Sequence, residues 1–349
     1  MASADRGPGE IDDLARQTVA DPRWFPLRFD LHREEFHFAL IPAETHREIA
    51  FLNDQKPTAS EIRVLPRSAV AKMPLESAPL HLILHSGLGG STFVARALAQ
   101  PGIAVALQEP PILTDVIAHG ARKGPQEMGA LLTEVSRLLA RPFAPGEAVV
   151  CKLSGVGNGL AGLIAGAHPD SQLICLYNPL DRMLASLASR GAGGRMAGRQ
   201  LLLGLRNSRM MAFEMTDKQL LDHTDFQLAG FAWLSIHKIM LGAAEELGSS
   251  RVASVSSQQV MRDGAKAIAA IASHLNLSLD IDACVELGVF SRHAKSGKPF
   301  DPKRRAEAIE EGLKLYGQEI EAIVSWARRV AEVARIGWDF PFPLEIPAA

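Results

Sequence analysis

Residues 80–98 read LHLILHSGLGGSTFVARAL, and this stretch decides the fold. Its first six residues are almost wholly apolar, the pattern of a strand buried on both faces of a parallel sheet. Gly87, Gly89 and Gly90 then form a turn whose backbone can enter the left-handed region and approach a ligand closely. Ser91 and Thr92 open an amphipathic helix. A strand, a glycine-rich turn and a helix in that order gather backbone N–H groups and the positive end of a helix dipole at one point, which makes a site for phosphate or sulfate. The candidate anion-binding residues are therefore Ser86, Gly87, Leu88, Gly89, Gly90, Ser91 and Thr92, with Arg96 one turn further on as an added charge.

Outward from this stretch, further short apolar runs occur at 103–107, 148–153, 171–177 and 251–256. Helical patterns separate them at 92–99, 125–139, 160–166 and 180–189. Alternation of this kind predicts an α/β fold with a doubly wound parallel sheet flanked by helices. A long helical region, about 195–247, interrupts the alternation before the last strand. The charged stretch 302–334 is expected to be a pair of amphipathic helices packing back on the sheet. Residues 1–78, with Trp24, Phe25 and acidic clusters, are read as an N-terminal cap, and 79–349 as the α/β domain.

The chain has 349 residues, 22 % of them charged, with a net charge of −2. No global field draws it onto nucleic acid or an anionic membrane, so any anion must be held by a local site. Cys151, Cys175 and Cys284 are far apart and suit buried thiols in a reducing compartment. The polar, acidic N-terminus carries no secretory signal, and Leu228–Ala244, broken by His237 and Lys238, is too short to cross a bilayer. The expectation is a cytoplasmic protein without a membrane span.

The turn reads like a Walker A loop in which Gly90 stands where the lysine belongs. An ATP-dependent kinase would lack a main stabiliser of γ-phosphate charge, and no strand ends in a magnesium-binding Asp; strand four ends in Tyr177-Asn178-Pro179. Ligands of open α/β sheets lie beyond the carboxyl ends of the strands. Gln108-Glu109-Pro110-Pro111, Lys152-Leu153-Ser154 and Asn178-Pro179-Leu180-Asp181-Arg182 follow three of them.

Taken together, HSGLGGSTFVARAL, ALQEP, VVCKLS and LYNPLDRMLASLASRG resemble the P-loop sulfotransferases, in particular the bacterial sulfotransferase-like group, over roughly residues 80–308. The resemblance implies a P-loop-type sheet and a donor, 3′-phosphoadenosine 5′-phosphosulfate (PAPS), used without a metal. It implies that Gly87–Thr92 hold the 5′-phosphosulfate and that Arg182 and Ser186 hold the 3′-phosphate. Glu109 falls where some members carry the base that deprotonates the acceptor hydroxyl, its pKa expected to be raised by burial. Lys152 falls where a cation meets the transferring group. His293, Lys295 and Lys298 lie in a basic loop that could fold over the nucleotide. The sequence departs from the family pattern in three places: the loop has no Lys or Arg, Tyr177 replaces the first Arg of the 3′-phosphate segment, and Ser186 comes one residue late. His85 is expected to be a hydrogen-bonded structural residue. Arg190, Arg195 and Arg199 are read as either a substrate lid or a solvated helix face. An ATP-using small-molecule kinase and a non-catalytic nucleotide-binding relative are the alternative functions. The accepting group is expected to be a hydroxyl, or an amine, and the class of acceptor molecule is left open.

Overall fold

Successive residues of the apolar runs face opposite sides of one sheet, and each side has its own core. Leu82, Leu84, Val105, Leu107, Val149, Cys151, Leu173 and Cys175 point to one side. Ile83, Ala104, Ala106, Val150, Ile174, Leu176 and Val255 point to the other. This period of two, with both faces dry, is why the runs are apolar throughout rather than alternating. The computed structural model describes residues 7–49, 51–52, 61–286 and 302–346.

In chain order the described elements begin with helix α1 (Pro8–Ala20), strands β1 (Trp24–Asp30) and β2 (Glu35–Leu40), helix α2 (Ala43–Glu48), strand β3 (Ile62–Pro66) and helix α3 (Arg67–Val70). The central part follows as β4 (Leu80–His85), α4 (Ser91–Leu98), β5 (Ala104–Gln108), α5 (Ile112–Lys123), α6 (Pro125–Leu139), β6 (Ala148–Lys152), α7 (Ala161–Ala167), β7 (Leu173–Tyr177) and α8 (Leu180–Ala188). Then come α9 (Gly191–Asn207), α10 (Asp217–Leu221), α11 (Asp225–Leu247), β8 (Val252–Ser256), α12 (Ser257–Arg262), α13 (Gly264–His274), α14 (Ile281–Glu286) and α15 (Pro302–Val333).

Strands β4 to β8 form one parallel sheet in the order β5-β6-β4-β7-β8. The strand that carries the glycine-rich turn is therefore central, and the ends of β6 and β7 stand on either side of it. The observed strands match the five expected runs to within two residues at each end. Helices flank both faces, so the α/β class and the parallel sheet hold.

The described residues between 7 and 73 build α1 to α3 and a three-stranded antiparallel sheet, β1-β2-β3. Phe29, Phe36 and Phe38 of this sheet belong to the same buried cluster as Leu82 and Val149. Two polar ties fix the attachment. Asp115 of α5 accepts both guanidinium N–H groups of Arg28 at 2.8 Å and the Phe29 N–H at 2.9 Å. Arg141, 5 % exposed, donates to the carbonyls of Thr18, Val19 and Trp24, so its buried charge is met by the end of α1 and the start of β1.

One expectation is corrected. The 302–334 stretch is, as expected, a pair of helical segments, meeting within α15 at a kink at Tyr316 (φ −123°, ψ 15°), but it does not pack on the sheet. It packs on α8 and α11, a layer outside the helices that cover the sheet. A Cβ on Gly312 would lie 2.6 Å from the Ala185 carbonyl oxygen, so the close approach of α15 to α8 needs glycine there. The expected helical region 195–247 is α9, α10 and α11, and Phe226, Trp233 and Met240 are buried core residues as expected. No helix among the described residues is long and apolar enough to cross a membrane.

Candidate functional site

The turn after β4 is held from three sides. Asn158, in the short helical turn at 157–160, accepts from the His85 N–H (3.3 Å) and donates to the His85 carbonyl (2.9 Å). The Ser86 hydroxyl oxygen accepts the Asn178 N–H at 2.7 Å. A Cβ on Gly89 would stand 3.3 Å from the Ser257 side chain and 3.4 Å from that of Asn178, so this glycine permits the turn to pack against the start of α12. Gly87 (φ +85°), Leu88 (φ +54°) and Gly90 (φ +89°) lie in the left-handed region. For Leu88 that conformation costs roughly 1–2 kcal/mol.

These ties sort the seven candidate anion-binding residues. Ser86 and Gly87 serve the turn itself, because the Gly87 N–H donates to His85 Nδ1 at 3.1 Å. The N–H groups of Gly89, Gly90, Ser91 and Thr92 meet no acceptor among the described residues. They run without interruption into the N-terminus of α4, where the first backbone donors of a helix are unsatisfied by construction.

Lys152 ends β6 directly beside this array. It is 1 % exposed, with Nζ 2.6 Å from Glu109 Oε1, 3.4 Å from Thr92 Oγ1 and 4.8 Å from the centre of the Phe51 ring. Glu109 follows β5 in the left-handed region (φ +52°), and its N–H donates to the Lys152 carbonyl at 2.9 Å. That bond carries the β5–β6 pairing one residue past the strand and aims the carboxylate back at the lysine. His85 Nε2 lies 3.6 Å from the same carboxylate oxygen. Because His85 Nδ1 accepts from Gly87, the ring proton is on Nε2, facing Glu109.

Electrostatically, Glu109 departs from expectation. Burial acts to push its carboxyl up, but the nearby His85 ring and the charge of Lys152 outweigh it and hold the pKa at about 2, not above the ordinary range. Glu109 is therefore ionised and ion-paired. Burial pulls the Lys152 ammonium down, opposed by Glu109.

Gln108, the register partner of Lys152, is fully buried, and among the described residues neither its amide nitrogen nor its oxygen has a hydrogen-bond partner. Such a group costs about 1–3 kcal/mol unless something outside the chain satisfies it.

The remaining candidates sit along α8. Arg182 pairs with Glu310 of α15 at 2.6 Å and with Asp181 at 3.6 Å. Ser186 is buried, and its hydroxyl accepts from Arg190 Nη2 at 3.3 Å. The structure thus groups Ser86–Thr92, Glu109 and Lys152, whereas Arg182 and Ser186 each engage a different partner. Arg96 is turned away from the loop and donates to the Glu48 carbonyl. Arg195 lies over the rings of Phe226 and Tyr316, and Arg199 pairs with Asp225, which ties α9 to its neighbours. His293, Lys295 and Lys298 lie outside the described residues.

Residue-type reasoning assigned no role to Asn178, Asn158 or Phe51. Asn178 was visible only as the polar residue that ends a strand, and nothing in the sequence around Phe51 points to a lysine about a hundred positions away.

No family model matches the sequence, and no curated protein matches it. Solved structures similar to the chain include the sulfotransferase domain from the curacin biosynthetic pathway, at 12 % identity over 77 % of this chain and 100 % of that one, TM-score 0.44. A sulfotransferase from Mycobacterium avium is 14 % identical over 90 % of this chain and 98 % of its own, TM-score 0.39. One from Alicyclobacillus acidocaldarius is 14 % identical over 62 % and 92 %, TM-score 0.36. All three of these solved structures are sulfotransferases.

Proposed function

We propose that the chain is a sulfotransferase that moves a sulfuryl group from PAPS to a hydroxyl acceptor, in line and without a metal. The observation that carries the reading is Lys152: a wholly buried ammonium, delivered by the neighbouring strand to a loop that has no lysine of its own, in contact with both Thr92 and Glu109. A buried lysine is expensive to keep charged and rarely serves packing alone.

The residues fit the donor. The N–H groups of Gly89, Gly90, Ser91 and Thr92, with the Ser91 and Thr92 hydroxyls, would hold the 5′-phosphosulfate, and Lys152 would meet its charge. Ser186 with Arg190 would take the 3′-phosphate, joined by Arg182 when its pair with Glu310 opens. When bound, the donor supplies an activated sulfuryl group carrying a single negative charge, so fixed amides and one cation can serve where phosphoryl transfer uses magnesium. Glu109 would accept the proton of the acceptor hydroxyl. Its ion pair with Lys152 keeps it a weak base; a bound anion that drew Lys152 to itself would loosen the pair and strengthen Glu109 as a base, which would tie proton abstraction to a loaded site. The unpaired Gln108 amide lies beside the same lysine and would hydrogen-bond an incoming oxygen.

On this reading residues 79–349 form the donor-binding domain and 1–78 its cap, with Phe51 laid over Lys152. A cytoplasmic location is part of the proposal and agrees with three buried free cysteines.

A thermal-shift series tests it. Adenosine 3′,5′-bisphosphate at 100 times its Kd is expected to stabilise the protein by about 2.7 kcal/mol, equally with Mg²⁺ and with a chelator. Stabilisation by ATP that depends on Mg²⁺, with none by the bisphosphate, would contradict the proposal and favour a kinase.

A further inference from the structure

A cavity of about 550 Å³ opens between the start of α8, α11, α15 and the C-terminal segment, and none of the loop residues, Glu109 or Lys152 lines it. Its walls are aromatic. Trp233 and Trp338 meet at 5.1 Å between ring centres, and Tyr177 stacks on Phe340 at 4.7 Å. Its ionisable rim consists of three carboxylates, Asp181, Glu321 and Asp339, against one guanidinium, that of Arg328. Arg328 lies 4.3 Å from the centre of the Trp338 ring, so one indole face here already carries a cation. Among the described residues neither Glu321 nor Asp339 is in an ion pair.

A second, independent feature points to a ligand. His237 is 1 % exposed, lines the cavity and stacks on Trp233 at 4.3 Å. Burial keeps its ring neutral, with a pKa of about 4, although the nearby Gly337 and Trp338 carbonyls pull the other way. Among the described residues neither ring nitrogen closes a hydrogen bond of ordinary geometry. The cavity therefore offers acceptors, two unpaired carboxylates and an imidazole nitrogen, within aromatic walls.

We propose that this cavity binds a small organic ammonium with an aromatic body, seated on Trp233 and Trp338 and donating to Asp339, Glu321 and His237. An anionic group would face the carboxylates and be repelled, so the cavity is distinct from the site proposed for the donor's phosphates. Asn178 joins the two places: its N–H is bound to Ser86 of the glycine-rich turn, and its carbonyl accepts the Trp233 indole N–H at 2.8 Å. The proposal does not depend on the sulfotransferase reading, and its test uses no nucleotide.

Calorimetric titration of the full chain with 2-phenylethylammonium, 2-phenylethanol and phenylacetate tests it. The ammonium is expected to bind about tenfold more tightly than the alcohol, and the carboxylate not at all. The double variant Asp339→Asn, Glu321→Gln, altered only at exposed positions, should lose that preference. Glu332→Gln, exposed and outside the cavity, should keep it. No binding of the ammonium, equal binding of all three probes, or a preference that survives in the double variant would each overturn the assignment.

Discussion

Lys152→Met is expected to lower kcat for sulfuryl transfer about a thousandfold and to weaken binding of adenosine 3′,5′-bisphosphate much less. Loss of a single fixed donor at a developing anion costs about 10²–10³ in rate, and a buried cation contributes at least as much as a neutral donor. The amides of Gly89 to Thr92 remain in the variant and still bind. The side-chain volume is nearly conserved, so no cavity opens beneath Thr92. The remaining strain is electrostatic: Glu109 loses the partner that Nζ supplied at 2.6 Å. Burial, until then outweighed, should carry its pKa upward from about 2, and carbonyl-labelled NMR of Glu109 would follow that shift directly. A drop in melting temperature with unchanged kcat would mean that Lys152 serves the fold alone.

Glu109→Gln should reduce kcat by about 10²–10⁴ while nucleotide affinity holds or tightens, because Lys152 is then freed to serve the anion. The same variant reports on stability. The folded pKa of Glu109, about 2, lies below its ordinary 4.5, so the group contributes stability that is fully present above pH 4.5 and lost as the pH falls towards 2. The contribution is on the order of 3 kcal/mol. Denaturant unfolding of both proteins across that range should show the advantage of the native chain shrinking with acid. An advantage that does not change with pH would show that the ion pair is absent in solution. A normal rate with Gln at this position would remove Glu109 as the base.

The sheet was legible because its strands are dry on both faces, and uninterrupted runs such as LHLILH have no competing interpretation. The site was legible where chemistry follows a strand: the turn at 86–92, Glu109 and Lys152 all stand at carboxyl ends, and the order β5-β6-β4-β7-β8 brings them to one rim. Long-range partners were not legible. The polar residues of EFHFAL alternate as those of a half-buried strand should, yet the adjoining charges in DLHREE masked the β1–β2 hairpin. Arg96 and Arg182 carry the right charge at plausible spacings, but they are drawn to the Glu48 carbonyl and to Glu310, which lie 48 and 128 residues away. The low pKa of Glu109 has the same origin. Burial was readable from its neighbours Pro110 and Pro111, whereas the His85 and Lys152 contacts that reverse its effect exist only in the folded chain.

The central claim is that consecutive amides of the turn, with Lys152, hold the donor's 5′ end without a metal. Amide NMR of the ¹⁵N-labelled protein, titrated with adenosine 3′,5′-bisphosphate in the presence of a chelator, tests it at the atoms concerned. Saturable shifts are expected at Gly89, Gly90, Ser91 and Thr92, larger than at Gly87, whose N–H is already held by His85. Binding that leaves these four signals unmoved, or that appears only after Mg²⁺ is added, would contradict the account.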